Sequence, residues 1–162
     1  MKHHGPGPEA ADRYAQERDL FSFASAACSM FNAYIYGVYA IGALHKPEVF
    51  KKLQDGTEWS IKLVATKKSY SEAFPDDAFL KFIEDFDNDL DRKELQHLRN
   101  VLTRRAVSPR AFQIGRPDLP AAKLVLFGIA FDESLTNSRT LFAQRQLLAC
   151  LEASADFVDR HD

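Results

Sequence analysis

From Leu20 to Leu44 the chain runs 25 residues without a charged side chain. Such a run is long enough to cross a bilayer as a helix, or to form the central helix of a bundle. Its patterning separates the two. Ser22, Ser25, Ser29, Asn32, Tyr36 and Tyr39 recur at steps of three and four, which puts one polar stripe on one helix face. Leu20, Ala24, Ala27, Phe31, Tyr34, Val38 and Ile41 form the opposite stripe. A lipid-facing helix gains nothing from a continuous polar stripe, whereas a bundle helix with a weakly polar second face does. We expect a core helix, its hydroxyl stripe suited to a dimer interface, and no membrane span.

The rest of the chain agrees with a helical bundle. The first helix is expected from Glu9 to Leu44, about 50 Å long at 1.5 Å per residue, stopping where Pro47 disfavours helical dihedrals at Lys46. Residues 1–8 read as a flexible lead, and 9–162 as one domain. Pro47 to Ser69 has helical apolar spacing, open to a break at Asp55-Gly56. Pro75-Asp76-Asp77 starts a third helix that buries Phe79, Leu80, Phe82, Ile83 and Phe86. A fourth runs from about Asp91 to Ala106, ended by Ser108-Pro109. Pro109, Gly115, Pro117, Pro120 and Gly128 exclude a long helix over 107–133, where Lys123–Phe131 reads as a strand that Arg110–Ile114 could pair with. The last helix is expected after Thr136 or Asn137 as N-cap, with Leu141, Leu148, Leu151, Ala155 and Val158 on its inner side. The fold class is therefore all-α: an up-and-down bundle of four to five helices with a short β-hairpin or irregular insert at about 107–133. Trp59 and the 13 phenylalanines read as core. Cys28 and Cys150 lie in apolar helical patterns and read as reduced core thiols, in keeping with a cytoplasmic location.

Net charge is only -2, which excludes a globally basic nucleic-acid binder, yet the sign switches sharply along the chain. Residues 71–91 carry eight acids against Lys81, and residues 92–116 carry seven bases against Glu94. The basic stretch suits phosphate, which arginine's planar fork binds bidentately, or salt bridging to the acidic segment or a partner chain. Asp85 to Asp91 resembles a calcium loop only in acidity. Counted from Asp85, the sixth and twelfth positions are Leu90 and Gln96, where glycine and glutamate are required. A solvated turn plus a helix N-cap accounts for it better. His3 and His4 are not offered as ligands, no metal site or cofactor is expected, and no phosphate-binding glycine loop or hydrolase motif is present.

The densest chemistry lies on the fourth helix. Leu95, Leu98, Val101, Leu102 and Ala106 form one apolar arc, with Arg99 at its edge and Arg105 inside it. An arginine within a core stripe must meet an acid, a carbonyl or an anion, because an unpaired buried charge is very costly. His97, Asn100 and Arg104 share the opposite face. His45, at the end of the first helix, reads as a partner of the helix dipole.

Leu98-Arg99-Asn100-Val101-Leu102-Thr103-Arg104 resembles the Arg-Asn-x-x-x-His signature of the HEPN superfamily. The long small-residue and aromatic first helix, the Pro/Gly-rich insert and Asp132-Glu133-Ser134 before the last helix also look like bacterial HEPN-like proteins. The resemblance implies an all-helical homodimer whose motif helices meet, and in many members a metal-independent ribonuclease with arginine and histidine converging on the scissile phosphate. Arg99 and Asn100 match, but the histidine position holds Arg104, which stays protonated and cannot act as a general acid or base at neutral pH. His97 projects about 160° from Arg99 around the helix and could serve only a partner protomer. The expectation is an RNA- or phosphate-binding protein, with Arg99, Asn100, Arg104 and Arg105 as ligand-binding residues and ribonuclease activity lost or degenerate. The alternative is a non-catalytic dimerisation or protein-interaction module.

Overall fold

The computed structural model describes the backbone of residues 8–103, 124–126, 129–131 and 133–161, and the side chains of 18–103 and 137–161. The uncharged run does form one helix, α1 (Pro8–His45). Ala24, Ala27, Phe31, Ile35 and Val38, at steps of three and four, are its buried face. Ser22, Ser29, Asn32 and Tyr36 are exposed, as the polar stripe predicts. Tyr39 departs from that stripe. It is buried, its ring meets Phe50 edge-on at 5.0 Å, and its hydroxyl accepts the Lys52 amide at 3.2 Å. Tyr39 lies on the border between the two faces, and the chain after Pro47 folds back over it.

That return segment is not the single helix its spacing suggests. Two 3-10 turns, Lys51–Leu53 and Glu58–Ser60, flank Gly56. Gly56 adopts φ +68°, a left-handed conformation that side chains with a Cβ rarely take. The first turn drives Phe50 into the core. The second leaves Trp59 82% exposed, against the expectation that it is core.

Three helices complete the middle of the chain: α2 (Leu63–Ala73), α3 (Ala78–Asn88) and α4 (Leu90–Thr103). Asp77 caps α3 by accepting the Phe79 amide at 2.7 Å, and Phe79, Ile83 and Phe86 are its buried side. Asp89 caps α4 by accepting the Arg92 amide at 2.7 Å, which is the N-cap role read from the acidic run. On α4, Leu95 and Leu98 are buried and Val101 and Leu102 half-buried, as the apolar arc requires. β1 (Leu124–Leu126) and β2 (Ile129–Phe131) pair antiparallel, with Leu124 opposite Phe131. Where one strand is expected over 123–131, the described residues form two short paired strands. Arg110–Ile114, the proposed pairing partner, lies outside the described residues, as do residues 1–7.

The chain closes with α5 (Glu133–His161), which begins before the expected cap at Thr136 or Asn137. Its inner face is Phe142, Ala143, Cys150, Ser154 and Phe157. Of the side expected to be inner, Val158 alone packs partly against the core, and Ala155 and the leucines do not. Leu141, Leu148 and Leu151 are 56%, 57% and 56% exposed. The helix has two apolar faces, and the bulkier aromatic one is buried.

The core has two connected halves. Ala24, Ala27, Phe31, Phe86, Leu95, Phe142 and Cys150 pack where α1 meets α4 and α5. Val38, Phe50, Tyr70, Phe74, Phe79 and Phe157 pack at the other end, with Tyr34, Leu63 and Phe82 touching both. Among the described residues no buried side-chain nitrogen or oxygen lacks a hydrogen-bond partner. The Tyr34 hydroxyl donates to the Cys150 carbonyl at 3.0 Å and lies 3.1 Å from Ser154 Oγ. The Tyr70 hydroxyl donates to the Val38 carbonyl at 2.8 Å. The architecture is an all-α bundle. By length and composition α1 is apolar enough to cross a membrane, but its apolar face is taken up by the chain's own helices.

Candidate functional site

Helix α4 carries the residues the sequence singles out, and its neighbours decide which are available. Its N-terminal turns are tied down by charge. Arg92 donates Nε to the Phe86 carbonyl at 2.8 Å and Nη2 to the Asp87 carbonyl at 2.9 Å, with Asp87 Oδ1 at 3.5 Å. Its guanidinium also lies 5.0 Å from the centre of the Phe86 ring. Lys67 of α2 pairs with the same Asp87 at 2.5 Å. Arg139 of α5 reaches across to Asp91 at 2.6 Å and to Glu94. Asp77, Asp87, Asp89 and Asp91, half of the acids on the acidic side of the charge switch, are thus spent on caps and helix-to-helix ties, and Arg92 belongs to that internal network.

Arg99 does not. It is half-buried at the edge of the α4 apolar arc, beside α1, and no carboxylate among the described residues pairs with it. By contrast, Arg18, Arg92, Arg139 and Arg160 each hold one. Its electrostatic neighbour is Cys28, whose half-buried sulfur faces the Leu95 carbonyl at 3.9 Å. Burial pushes the Cys28 thiol above its ordinary pKa, and the positive charges of Arg99 and Arg92 only partly oppose this. The thiol is therefore protonated and inert at neutral pH. Cys150, fully buried, is pushed up to about 12 by the same desolvation. Both thiols are free, as the sequence suggests.

His97 and Asn100 are exposed on the outer face of α4, as their spacing predicts. That face diverges from Arg99, so within one chain the structure does not bring His97 and Arg99 together. Arg104 and Arg105 lie outside the described residues. Among the described residues no group of three or more His, Cys, Asp or Glu side chains is placed to hold a metal ion.

A second polar cluster escaped the sequence reading. At the far end of the bundle Asp77 accepts from Arg160 Nη2 at 2.8 Å and lies 2.9 Å from His161 Nε2. The His161 ring packs on Phe157 and Phe74, with His45 beyond it at 5.9 Å. Burial raises the Asp77 pKa, but the Phe79 amide, Arg160 and His161 together outweigh it and hold the carboxyl below its usual range. The only sequence signal was the cap position of Asp77, since its partners lie 83 and 84 residues away. Every group in the cluster has an evident structural task, joining the start of α3 to the end of α5. His45, in the last turn of α1, also meets this cluster, edge-on to Phe157 at 5.7 Å.

No protein-family model matches this chain, and no match was found among curated proteins or solved structures.

Proposed function

We propose that this chain is a HEPN-like helical protein of the cytoplasm that binds a phosphate-bearing ligand, RNA first among them, through the Arg99 side of α4. The observation that carries the reading is the contrast among arginines. Arg92, Arg139 and Arg160 are neutralised by carboxylates of their own chain and Arg145, which also has none among the described residues, is exposed on α5, whereas Arg99 is half-buried with no carboxylate partner among the described residues. A guanidinium held part-way out of water by a helix face is pre-positioned for an anion. Asn100, the following residue, supplies an exposed amide on the neighbouring outer face of α4, and Arg104 and Arg105 follow on the same motif. With arginine at the histidine position, the reading is binding without cleavage.

The test is fluorescence anisotropy of a labelled single-stranded RNA across a salt series, with inorganic phosphate as competitor. Binding should weaken steeply with salt. Arg99→Ala should weaken it about tenfold, the loss of one charge-assisted contact. Competition by phosphate at millimolar level would point to a small phosphate ligand rather than a polymer. Arg104→His gaining RNA cleavage would identify a degenerate active site. RNA binding absent at low salt, or unchanged by Arg99→Ala, removes the proposal. The second reading, a non-catalytic interaction module, is favoured by one observation of its own: the leucines that α5 leaves in solvent.

A further inference from the structure

Helix α5 spends only one of its two apolar faces. The outward face repeats Leu141, Gln144, Leu148, Leu151 and Ala155 and ends at Val158, which is half-buried against the core, at steps of three, four, three, four and three. That is the spacing of a coiled-coil seam, in which apolar residues recur every 3.5 positions on average. Its three leucines are each more than half exposed, while neighbouring Phe142, Cys150 and Phe157 are buried. The seam spans about 26 Å at 1.5 Å per residue. Single exposed leucines need no explanation, but a contiguous apolar stripe on a helix marks an interaction site.

Charge identifies what fits it. Arg145, Glu152 and Asp159 follow the seam on one flank at steps of seven, and all three are exposed. In a parallel pairing this flank would meet the opposite flank of the second copy, where Thr140, Leu147 and Ser154 offer it no charged partner. In an antiparallel pairing Arg145 comes within about two residues' rise, roughly 3 Å along the axis, of Glu152 of the second copy, and the symmetric pair repeats it. The same alignment sets Leu148 against Leu151, Leu141 against Val158, and Gln144 against small Ala155, which leaves the amide room to reach water. A two-fold axis produces such self-complementarity automatically. We propose that α5 pairs antiparallel with α5 of a second copy of this chain through this seam. The inference rests on α5 alone and is independent of the reading of α4. A two-helix seam is smaller than a standard interface, so association is sought at micromolar concentrations.

Sedimentation velocity on the full chain, across about 1–200 µM, tests it. The expected result is a monomer–dimer equilibrium. Leu148→Glu should keep the far-ultraviolet circular dichroism of the parent and weaken association at least about tenfold. Arg145→Glu should weaken it too, and adding Glu152→Arg and Asp159→Arg to the same chain should restore it. This charge exchange changes only exposed side chains, so it reads the proposal even if Leu148→Glu perturbs the helix. A chain that stays monomeric throughout overturns the proposal. So does a dimer indifferent to Leu148→Glu, or an exchanged-charge variant as weak as Arg145→Glu alone. A monomer that sediments with phospholipid vesicles through Leu148 also overturns it, because the occupant of the face is then a lipid surface.

Discussion

Two glycines of α1, five positions apart, should respond in opposite directions to the same substitution. An alanine in a helix interior is favoured over glycine by about 1 kcal/mol. At Gly37 a Cβ would meet nothing within 4 Å, so Gly37→Ala should collect most of that gain and raise stability by about 0.5–1 kcal/mol. At Gly42 the new Cβ would lie inside 3.0 Å of three atoms of the Phe50 ring. Whether the ring can yield decides the sign. Phe50 is fully buried and held edge-on between Tyr39 at 5.0 Å and Tyr70 at 5.1 Å, so it can move only by displacing both. Overpacking of this kind costs about 1–3 kcal/mol, which exceeds the propensity gain. Gly42→Ala should therefore destabilise by about 1–2 kcal/mol net, lowering Tm by about 3–6 °C in a domain of this size. Urea denaturation of the two single variants, with Phe50→Leu and the Gly42→Ala/Phe50→Leu double variant, gives the full cycle. The smaller side chain should recover about 1 kcal/mol of the Gly42→Ala loss as coupling. A Gly42→Ala protein more stable than its parent, or strict additivity with Phe50→Leu, would refute the claim that α1 and the return segment touch through this glycine.

Two further perturbations address the other end of the bundle. Tyr70→Phe keeps every ring contact and removes only the hydroxyl bond to the Val38 carbonyl, which still accepts within its helix. Denaturant midpoints should report a loss of about 1 kcal/mol, far below the 3–5 kcal/mol of a large-to-small change at a buried aromatic. Asp77→Ala removes the α3 cap and frees Arg160 and His161. The cap is worth about 1 kcal/mol, and the half-exposed ion pairs add a few tenths. Because the folded carboxyl titrates below its unfolded value, the charge-dependent part of this contribution is complete above about pH 4. It disappears as pH falls through the folded value. The gap between parent and Asp77→Ala should accordingly narrow as pH falls below about 4, and a gap that widened on acidification would contradict the assigned contacts.

Much of the bundle was legible because its signals are local. The uncharged stretch with stripes at helical spacing specifies α1, and Lys46-Pro47 ends it. Asp77 and Asp89 are caps whose partners lie two and three residues ahead. What failed involved distance in sequence or competition between good options. Pro47–Ser60 has acceptable helical spacing, but one chain cannot continue a helix and also insert Phe50 under Gly42. The tertiary contact won, and Gly56 provides the left-handed turn it needs. Trp59 is exposed for the same reason, since its turn lies outside the contact that Phe50 makes. On the candidate site, helical geometry placed His97, Asn100 and Arg99 correctly. It could not say which arginine would find a carboxylate, because Arg139 comes to α4 from 45 and 48 residues away.

Helix α5 shows where periodicity runs out. Leu141, Leu148, Leu151, Ala155 and Val158 make a better apolar stripe on paper than the face that is buried, which includes Ser154 and Cys150. Burying Ser154 costs little here, because its hydroxyl donates to the Cys150 carbonyl at 2.9 Å and meets Tyr34. In return Phe142 and Phe157 enter the two halves of the core, and Phe157 comes within 5.0 Å of both Phe74 and Phe79. Aromatic residues bury more area than leucines and gain from edge-to-face contact, so the face with two phenylalanines wins over the face with three leucines. A pattern of apolar positions ranks neither the area at each position nor the satisfaction of the polar groups between them. The losing face leaves its three leucines in solvent in the monomer, which is why a second copy of α5, with its charge order reversed, is the surface that matches it.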